Sequence, residues 1–448
     1  MFWGAVNARL GERMTEKWIV IGGGATGSHL ALEGAKQGHQ VTLVDKNPGL
    51  GGLTATETFT VNGSSFEVDR FYHVILESDE LVLGLLDELG LKDTIRWTSA
   101  PAEIIEQGKQ YPASSLGQMA TLPMLKLTDR ARIGASIAAS LALPMKLADR
   151  MTAISWLGRT AGKSALEAFW GPILRAKLGT QADKVSATFM VSTFRRLVQA
   201  RLKGAGDRFG ILPHGYGPVF AAMQERAEKL GGQVLTGANA TAINQADGIA
   251  TVTLEDGRTL TGDRVFITAP GPIASKLLPQ LSASEHGQLT EAPYLGVVCG
   301  SFVLDHAPND SYITYLIDDL GLTGVIGMHA LMAENATGGG KLVYLPHYCA
   351  SDDPWFDETD DQLKQRLLDG LQQCFPNQTF DVLASSINRA RHVVPLPLPG
   401  AGKPLAYQTS VPGIHVVSTA QNTTGTLNVE GSLAMANEAM AQINGGTK

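Results

Sequence analysis

The feature that most constrains this chain is a glycine-rich turn, Gly22-Gly23-Gly24-Ala25-Thr26-Gly27, set between a short apolar run and a stretch with helical spacing. Lys17 to Ile21 reads as a buried strand, Ala25 to Gln37 as a helix and Gln40 to Val44 as a second strand. That is a βαβ unit, whose helix must cross over and cover one face of a parallel sheet. Each glycine of the GxGxxG spacing meets a separate need. Gly22 permits the tight turn, Gly24 lets a pyrophosphate approach the backbone, and Gly27 lets helix and strand pack closely. Ala25 and Thr26 then open the helix, where backbone amides and the helix dipole favour phosphate. Asp45 ends the second strand, at the place where a carboxylate accepts hydrogen bonds from a ribose.

This turn serves NAD and FAD alike, so a second feature has to decide. Asp45-Lys46-Asn47-Pro48-Gly49-Leu50-Gly51-Gly52-Leu53 places another glycine pair just beyond the acid, able to bring amides to a second stretch of one extended cofactor. On these residues the chain resembles the flavin-containing amine oxidase, protoporphyrinogen oxidase and phytoene desaturase superfamily, which implies FAD. Val68-Asp69-Arg70-Phe71-Tyr72-His73 and Phe169-Trp170-Gly171-Pro172-Ile173-Leu174-Arg175-Ala176-Lys177-Leu178-Gly179 are similar to a bacterial protoporphyrinogen-oxidase-like branch. Tyr294-Leu295-Gly296, Tyr344-Leu345-Pro346 and Asp352-Asp353-Pro354 recur in that branch in the same order. By this resemblance, Lys46, Gly51, Gly52 and Leu53 stand beside the cofactor, the backbone of Ala240 meets adenine, and Thr268 ends a strand next to the flavin.

Two departures accompany the likeness. Many members carry an arginine after the second glycine pair, where this chain has Leu53. The closing motif usually holds a Gly-Asp pair, where this chain has Ser418-Thr419-Ala420-Gln421-Asn422. Gln421 or Asn422 then donates where an acid would accept, and Gly425 to Glu430, including Asn428, is expected to wrap the isoalloxazine edge. With no cysteine at this motif, non-covalent FAD is expected.

For chemistry, His73 is the candidate proton carrier beside a flavin, against a purely structural role under it. Arg175 and Lys177 are candidates to clamp an anionic group of the substrate, against a salt bridge between domains. Tyr344 is a candidate pocket residue, and Tyr72 and Trp170 are either pocket or core. Arg195-Arg196 reads as a solvated face.

A formal net charge of -7 argues against nucleic acid as a partner. Cys299, Cys349 and Cys374 are far apart with no CxxC spacing, which points away from a disulfide framework and a zinc site, so no metal is expected. A small-molecule substrate and a cytoplasmic setting follow. The run Ile133 to Met145 is too short to span a bilayer; it reads as a buried helix, with contact at the inner membrane surface as the alternative. Met14 is the expected start of translation.

The expected fold is α/β: a doubly wound, Rossmann-like FAD domain from residues 14–75, 205–290 and 390–448, with an inserted mixed α+β substrate domain from 76–204 and 291–389. The expected function is an FAD-dependent oxidoreductase passing hydride from an amphipathic or isoprenoid-like substrate to the flavin. The alternatives are a redox-neutral flavin-dependent mutase resembling UDP-galactopyranose mutase and a non-catalytic FAD-binding protein.

Overall fold

A computed structural model describes residues 15–119, 121–202, 208–423 and 427–445. Met14 and Gly425 lie outside these residues. The βαβ unit forms as read: β1 (Lys17–Ile21), α1 (Ala25–Lys36) and β2 (Gln40–Val44). β1 sits at the centre of a five-stranded, wholly parallel sheet, flanked by β2 and then Gln233–Leu235 on one side, and by Arg264–Ile267 and then Ile414–Val416 on the other. Buried strands of a parallel sheet need apolar residues on both faces. Trp18 and Val20 pack with Leu30, Ala31 and the closing helix Val429–Gly445 on one side. Ile19 and Ile21 face the other way, onto Ile243, Val252 and Leu254. That second face is covered in part by a three-stranded antiparallel sheet, Ala240–Ala246, Ile249–Leu254 and Thr259–Gly262, where a doubly wound fold would place helices.

A seven-stranded mixed sheet carries the rest of the chain, with Tyr294–Leu304 and Lys341–Ala350 at its heart and Val382–Pro395 along one edge. This last strand runs through residue 390, where the sequence reading opens the final segment of the nucleotide domain. The helix Asp360–Cys374, started by a capping box of Thr359 and Gln362, covers one face of the sheet. Helices between 127 and 202 pack around Trp156, Phe169, Trp170 and Phe194.

The apolar run after Ile133 needs correction. It forms part of a helix, Leu127–Ala142, that turns Ile133, Ser136 and Ser140 inward and leaves Leu141 about half exposed. Alanine side chains carry little apolar area, so an alanine-rich helix tolerates solvent on one face. Arg195 is not a solvated residue either: its Nε–H donates to the Ser140 carbonyl at 2.9 Å, closing the end of that helix. No helix among the described residues is long and apolar enough to cross a membrane.

Candidate flavin and substrate site

The glycine turn is held from below by one hydroxyl. Thr268, just past Arg264–Ile267, places Oγ1 3.0 Å from the carbonyl oxygens of both Ile21 and Gly22. Gly22 has φ +107°, and a Cβ there would lie 2.5 Å from that oxygen. At Gly27 a Cβ would stand 1.8 Å from the Gly22 carbonyl oxygen, so only hydrogen fits. Gly24 is different: the nearest atoms to a Cβ would be Gly52 Cα at 3.8 Å and the Gly51 oxygen at 3.9 Å. A Cβ at Gly24 would therefore meet only ordinary van der Waals contact, with no protein atom pressed against it. No side chain caps α1, so Ala25 and Thr26 begin a helix whose first amides have no side-chain acceptor.

The second glycine pair folds directly onto the first. Gly51 donates its N–H to the Gly23 carbonyl at 2.8 Å and forms a parallel bridge with Gly24. Gly51 and Gly52 have φ of +123° and +57°, which an L side chain rarely adopts. Leu53 follows in a single 3-10 turn and is half-buried, while Lys46 is exposed.

Asp45 ties the two glycine bends to the sheet. Its carboxylate, 7% exposed as a residue, accepts the Gly23 N–H at 2.6 Å through Oδ2 and the Asn47 N–H at 2.7 Å through Oδ1. Asn47 Nδ2 adds a third bond at 3.0 Å, and a carboxylate offers about four acceptor positions, so capacity remains for a ligand hydroxyl. The Asp45 carbonyl accepts from Ala238 at 2.8 Å, which brings the start of Ala240–Ala246, and Ala240 itself, next to the end of β2.

A second centre forms around Asp69. Thr56–Val61 and Ser64–Asp69 are joined by Asn62-Gly63, both at positive φ as a tight hairpin requires, and the hairpin delivers Asp69 to the interior. Its Oδ1 accepts the Tyr216 N–H at 2.8 Å, holding the start of the helix Gly217–Lys229. Its Oδ2 stands 3.7 Å from His73 Nδ1, close enough for an ion pair but beyond hydrogen-bond reach, and that buried nitrogen has no hydrogen-bond partner among the described residues. The His73 ring packs edge-on to Tyr216. Asp69, His73, Tyr216, Met328, Met332 and Tyr344 line a small cavity of about 20 Å³.

Tyr344 is 1% exposed, and its hydroxyl donates to the Asp69 carbonyl, so it offers the cavity a ring and not a free hydroxyl. Further along the same strand face, Tyr348 meets the Tyr72 hydroxyl at 3.4 Å. Burial pushes the hydroxyl pKa of Tyr72 and of Tyr344 well above the usual phenol value. Lys177 lies with Nζ 3.7 Å over the Tyr348 ring, a cation–π contact.

Arg175 and Lys177 do not converge on one point in the structure. Both belong to the helix Gly171–Leu178, and residues two apart on a helix point to different sides. Lys177 reaches Tyr348, while Arg175 is exposed and folds back toward Gly171; neither makes a salt bridge among the described residues. Trp170 joins the core with Phe169 and Phe194. Gln421 spends its amide on its own turn, accepting from Ser418 N–H and donating to the Val416 carbonyl. Asn428 caps the closing helix through the Gly431 N–H.

Sequence reasoning left Asp69, Tyr216 and Tyr348 without roles. The available signal was parity: Tyr344 and Tyr348, four apart on a strand, must share a face.

The family model for flavin containing amine oxidoreductases matches residues 25–439. A coproporphyrinogen III oxidase from Propionibacterium freudenreichii subsp. freudenreichii is 24% identical over 423 residues, covering 79% of this chain and 76% of that protein. Among solved structures, reduced UDP-galactopyranose mutase matches with a TM-score of 0.75 at 16% identity, covering 97% of this chain and 96% of the other. Cyclohexylamine oxidase from Brevibacterium oxydans IH-35A matches with a TM-score of 0.70 at 19% identity, covering 96% and 99%. These likenesses of structure are of fold alone.

Proposed function

The chain belongs to the flavin-containing amine oxidoreductase family and is an FAD-dependent oxidoreductase; within that frame we propose that it oxidises an apolar, unsaturated substrate bearing a carboxylate. The observation that carries the reading is the aromatic wall of Tyr72, Tyr344 and Tyr348 with the Lys177 ammonium laid against it. Such a wall takes a flat apolar body, and the ammonium takes an acidic arm. Coproporphyrinogen III, named in the relative, joins unsaturated pyrrole rings to carboxylate arms and is the first compound to test.

The residues present fit FAD. The uncapped start of α1, the uncrowded backbone at Gly24 and the Gly51-Gly52 bend beside it form a cradle lined by amides, and Gly22, Gly27 and Thr268 give it shape. Asp45 would hold the ribose, Ala240 would border the adenine, and Lys46, Leu53, Gln421 and Asn428 would flank the remainder. When bound, FAD supplies the hydride acceptor. The protein's part is to seat the substrate on the tyrosines, to hold its carboxylate at Lys177 Nζ, and to take the substrate proton at His73 Nδ1, the buried nitrogen that makes no hydrogen bond among the described residues and faces Asp69 at 3.7 Å. The parallel sheet with its covering elements is the cofactor unit in this reading, and the seven-stranded sheet with the helices between 127 and 202 is the substrate unit.

Anaerobic mixing of the oxidised holoprotein with coproporphyrinogen III tests it. Loss of the visible flavin absorbance is expected, and because porphyrin formation removes six electrons while each flavin takes two, porphyrin fluorescence is expected once the holoprotein is in more than threefold excess over the substrate. A flavin that stays oxidised overturns the assignment of substrate, and turnover of a nucleotide sugar only after dithionite reduction would replace it with a mutase.

A further inference from the structure

The face of Lys341–Ala350 opposite to Tyr344 and Tyr348 carries a second group of polar residues that the flavin chemistry does not use. Side chains alternate along a strand, so His347 and Cys349 turn together toward the helix Asp360–Cys374. Beyond the end of the strand, Asp353 caps a short 3-10 turn, accepting the Trp355 N–H at 3.0 Å through Oδ1. A ring nitrogen of His347, Sγ of Cys349 and a carboxylate oxygen of Asp353 all lie within 4.8 Å of one another. We propose that His347, Cys349 and Asp353 form a binding site for a single divalent transition-metal cation of the zinc class.

The chemistry of the three donors selects this class. Imidazole nitrogen, thiolate sulfur and carboxylate oxygen are the ligands zinc takes, whereas magnesium and calcium take oxygen. Three protein ligands leave one position of a tetrahedron to solvent. A thiolate and a carboxylate also balance a double positive charge, so the loaded site is neutral.

The imidazole is already oriented. His347 Nδ1 lies 2.9 Å from the Gly321 carbonyl, an acceptor only, so Nδ1 carries the proton and Nε2 keeps the lone pair a metal needs. A backbone carbonyl fixing one ring nitrogen is the usual partner of a metal-bound histidine. The ring is held flat against Trp355 at 3.8 Å between centroids and 15° between planes, with Arg366 on the Trp355 ring as well. Cys349 is 3% exposed, and forming the metal–sulfur bond would release its thiol proton to solvent. Asp353, only half-buried, leaves a way in.

The placement explains why sequence spacing did not reveal it. His-x-Cys on one strand with an aspartate past its end belongs to no paired-cysteine motif. The group also stands on the sheet face turned away from Tyr72 and Lys177, so it is independent of the substrate reading.

The test uses the full-length flavoprotein, stripped with a chelator and titrated with Zn²⁺ in competition with a colorimetric chelator, then with Co²⁺. We expect one zinc per chain and, with cobalt, a near-ultraviolet thiolate-to-cobalt band. Cys349→Ser should abolish that band, and Asp353→Asn, whose side-chain oxygen can still cap the turn, should weaken zinc by at least about tenfold with flavin content unchanged. No zinc uptake by the parent protein, or equal uptake by Asp353→Asn, overturns the site.

Discussion

The carboxylate of Asp45 accepts the backbone N–H of Gly23 at 2.6 Å, so the residue proposed to read the ribose also fixes the turn proposed to hold the phosphates. Removing it strikes both. Asp45→Ala leaves the buried Gly23 amide unpaired, at a cost of about 1–3 kcal/mol. Denaturant titration should show that loss, and FAD retention should weaken by at least about tenfold, each tenfold being about 1.4 kcal/mol. Full flavin content after extensive dialysis would remove Asp45 from the site.

The glycines of the turn separate folding from binding. Gly27→Ala drives a Cβ into the Gly22 carbonyl oxygen, 1.8 Å away, where backbone must yield. Overpacking of this kind costs about 3 kcal/mol or more, and a marked fall in Tm is expected. Gly24→Val meets no protein atom nearer than 3.8 Å at its Cβ, so stability of the flavin-free protein should stay within about 1 kcal/mol of the parent while the purified protein is colourless. A yellow Gly24→Val protein would move the phosphates elsewhere.

These relations differ in how far the sequence exposes them. β1, α1 and β2 were legible because apolar periodicity and glycine spacing are local signals, and the Gly51-Gly52 bend followed from the same run of residues. Asp69 with Tyr216, and Tyr344 with Asp69, join residues far apart in the chain, and no periodicity encodes which hairpin reaches which strand. Arg175 and Lys177 point apart because the sense of a two-residue spacing depends on whether the segment is strand or helix. The Leu127–Ala142 helix misleads in another way, since its apolar composition suggests burial although its alanines bury little area.

His73 Nδ1 has no hydrogen-bond partner among the described residues, which leaves it free for a substrate proton. His73→Gln should keep the flavin and lower kcat by about a hundredfold, within the range for loss of a general base. A variant with unchanged kcat would make His73 a packing partner of Tyr216 and nothing more.

Lys177 should act on binding alone. Lys177→Met keeps an unbranched stem against Tyr348 while removing the charge. For a carboxylated substrate, KM should rise about tenfold with kcat unchanged, the loss expected for one charge-assisted hydrogen bond. Removing the carboxylate from the substrate should erase the difference between parent and variant; a fall in kcat instead would place Lys177 at the reacting atoms.

His415 makes stability depend on pH. It lies in the strand Ile414–Val416 of the parallel sheet, 3% exposed and stacked on Phe266, with neither ring nitrogen partnered among the described residues. Burial first, and then the nearby Arg264, lower its pKa to about 4, with Glu16 opposing. The folded protein therefore holds a neutral ring under conditions where the unfolded chain, titrating at about 6.5, is already protonated. Between those values the unfolded state binds more protons, so stability falls as pH drops. The difference between pH 7 and pH 5 amounts to about 2 kcal/mol from this residue. His415→Phe preserves the ring against Phe266 and cannot protonate, so its unfolding free energy should fall about 2 kcal/mol less over the same interval. Parallel pH profiles for variant and parent would show that the buried imidazole is not the group that titrates on unfolding.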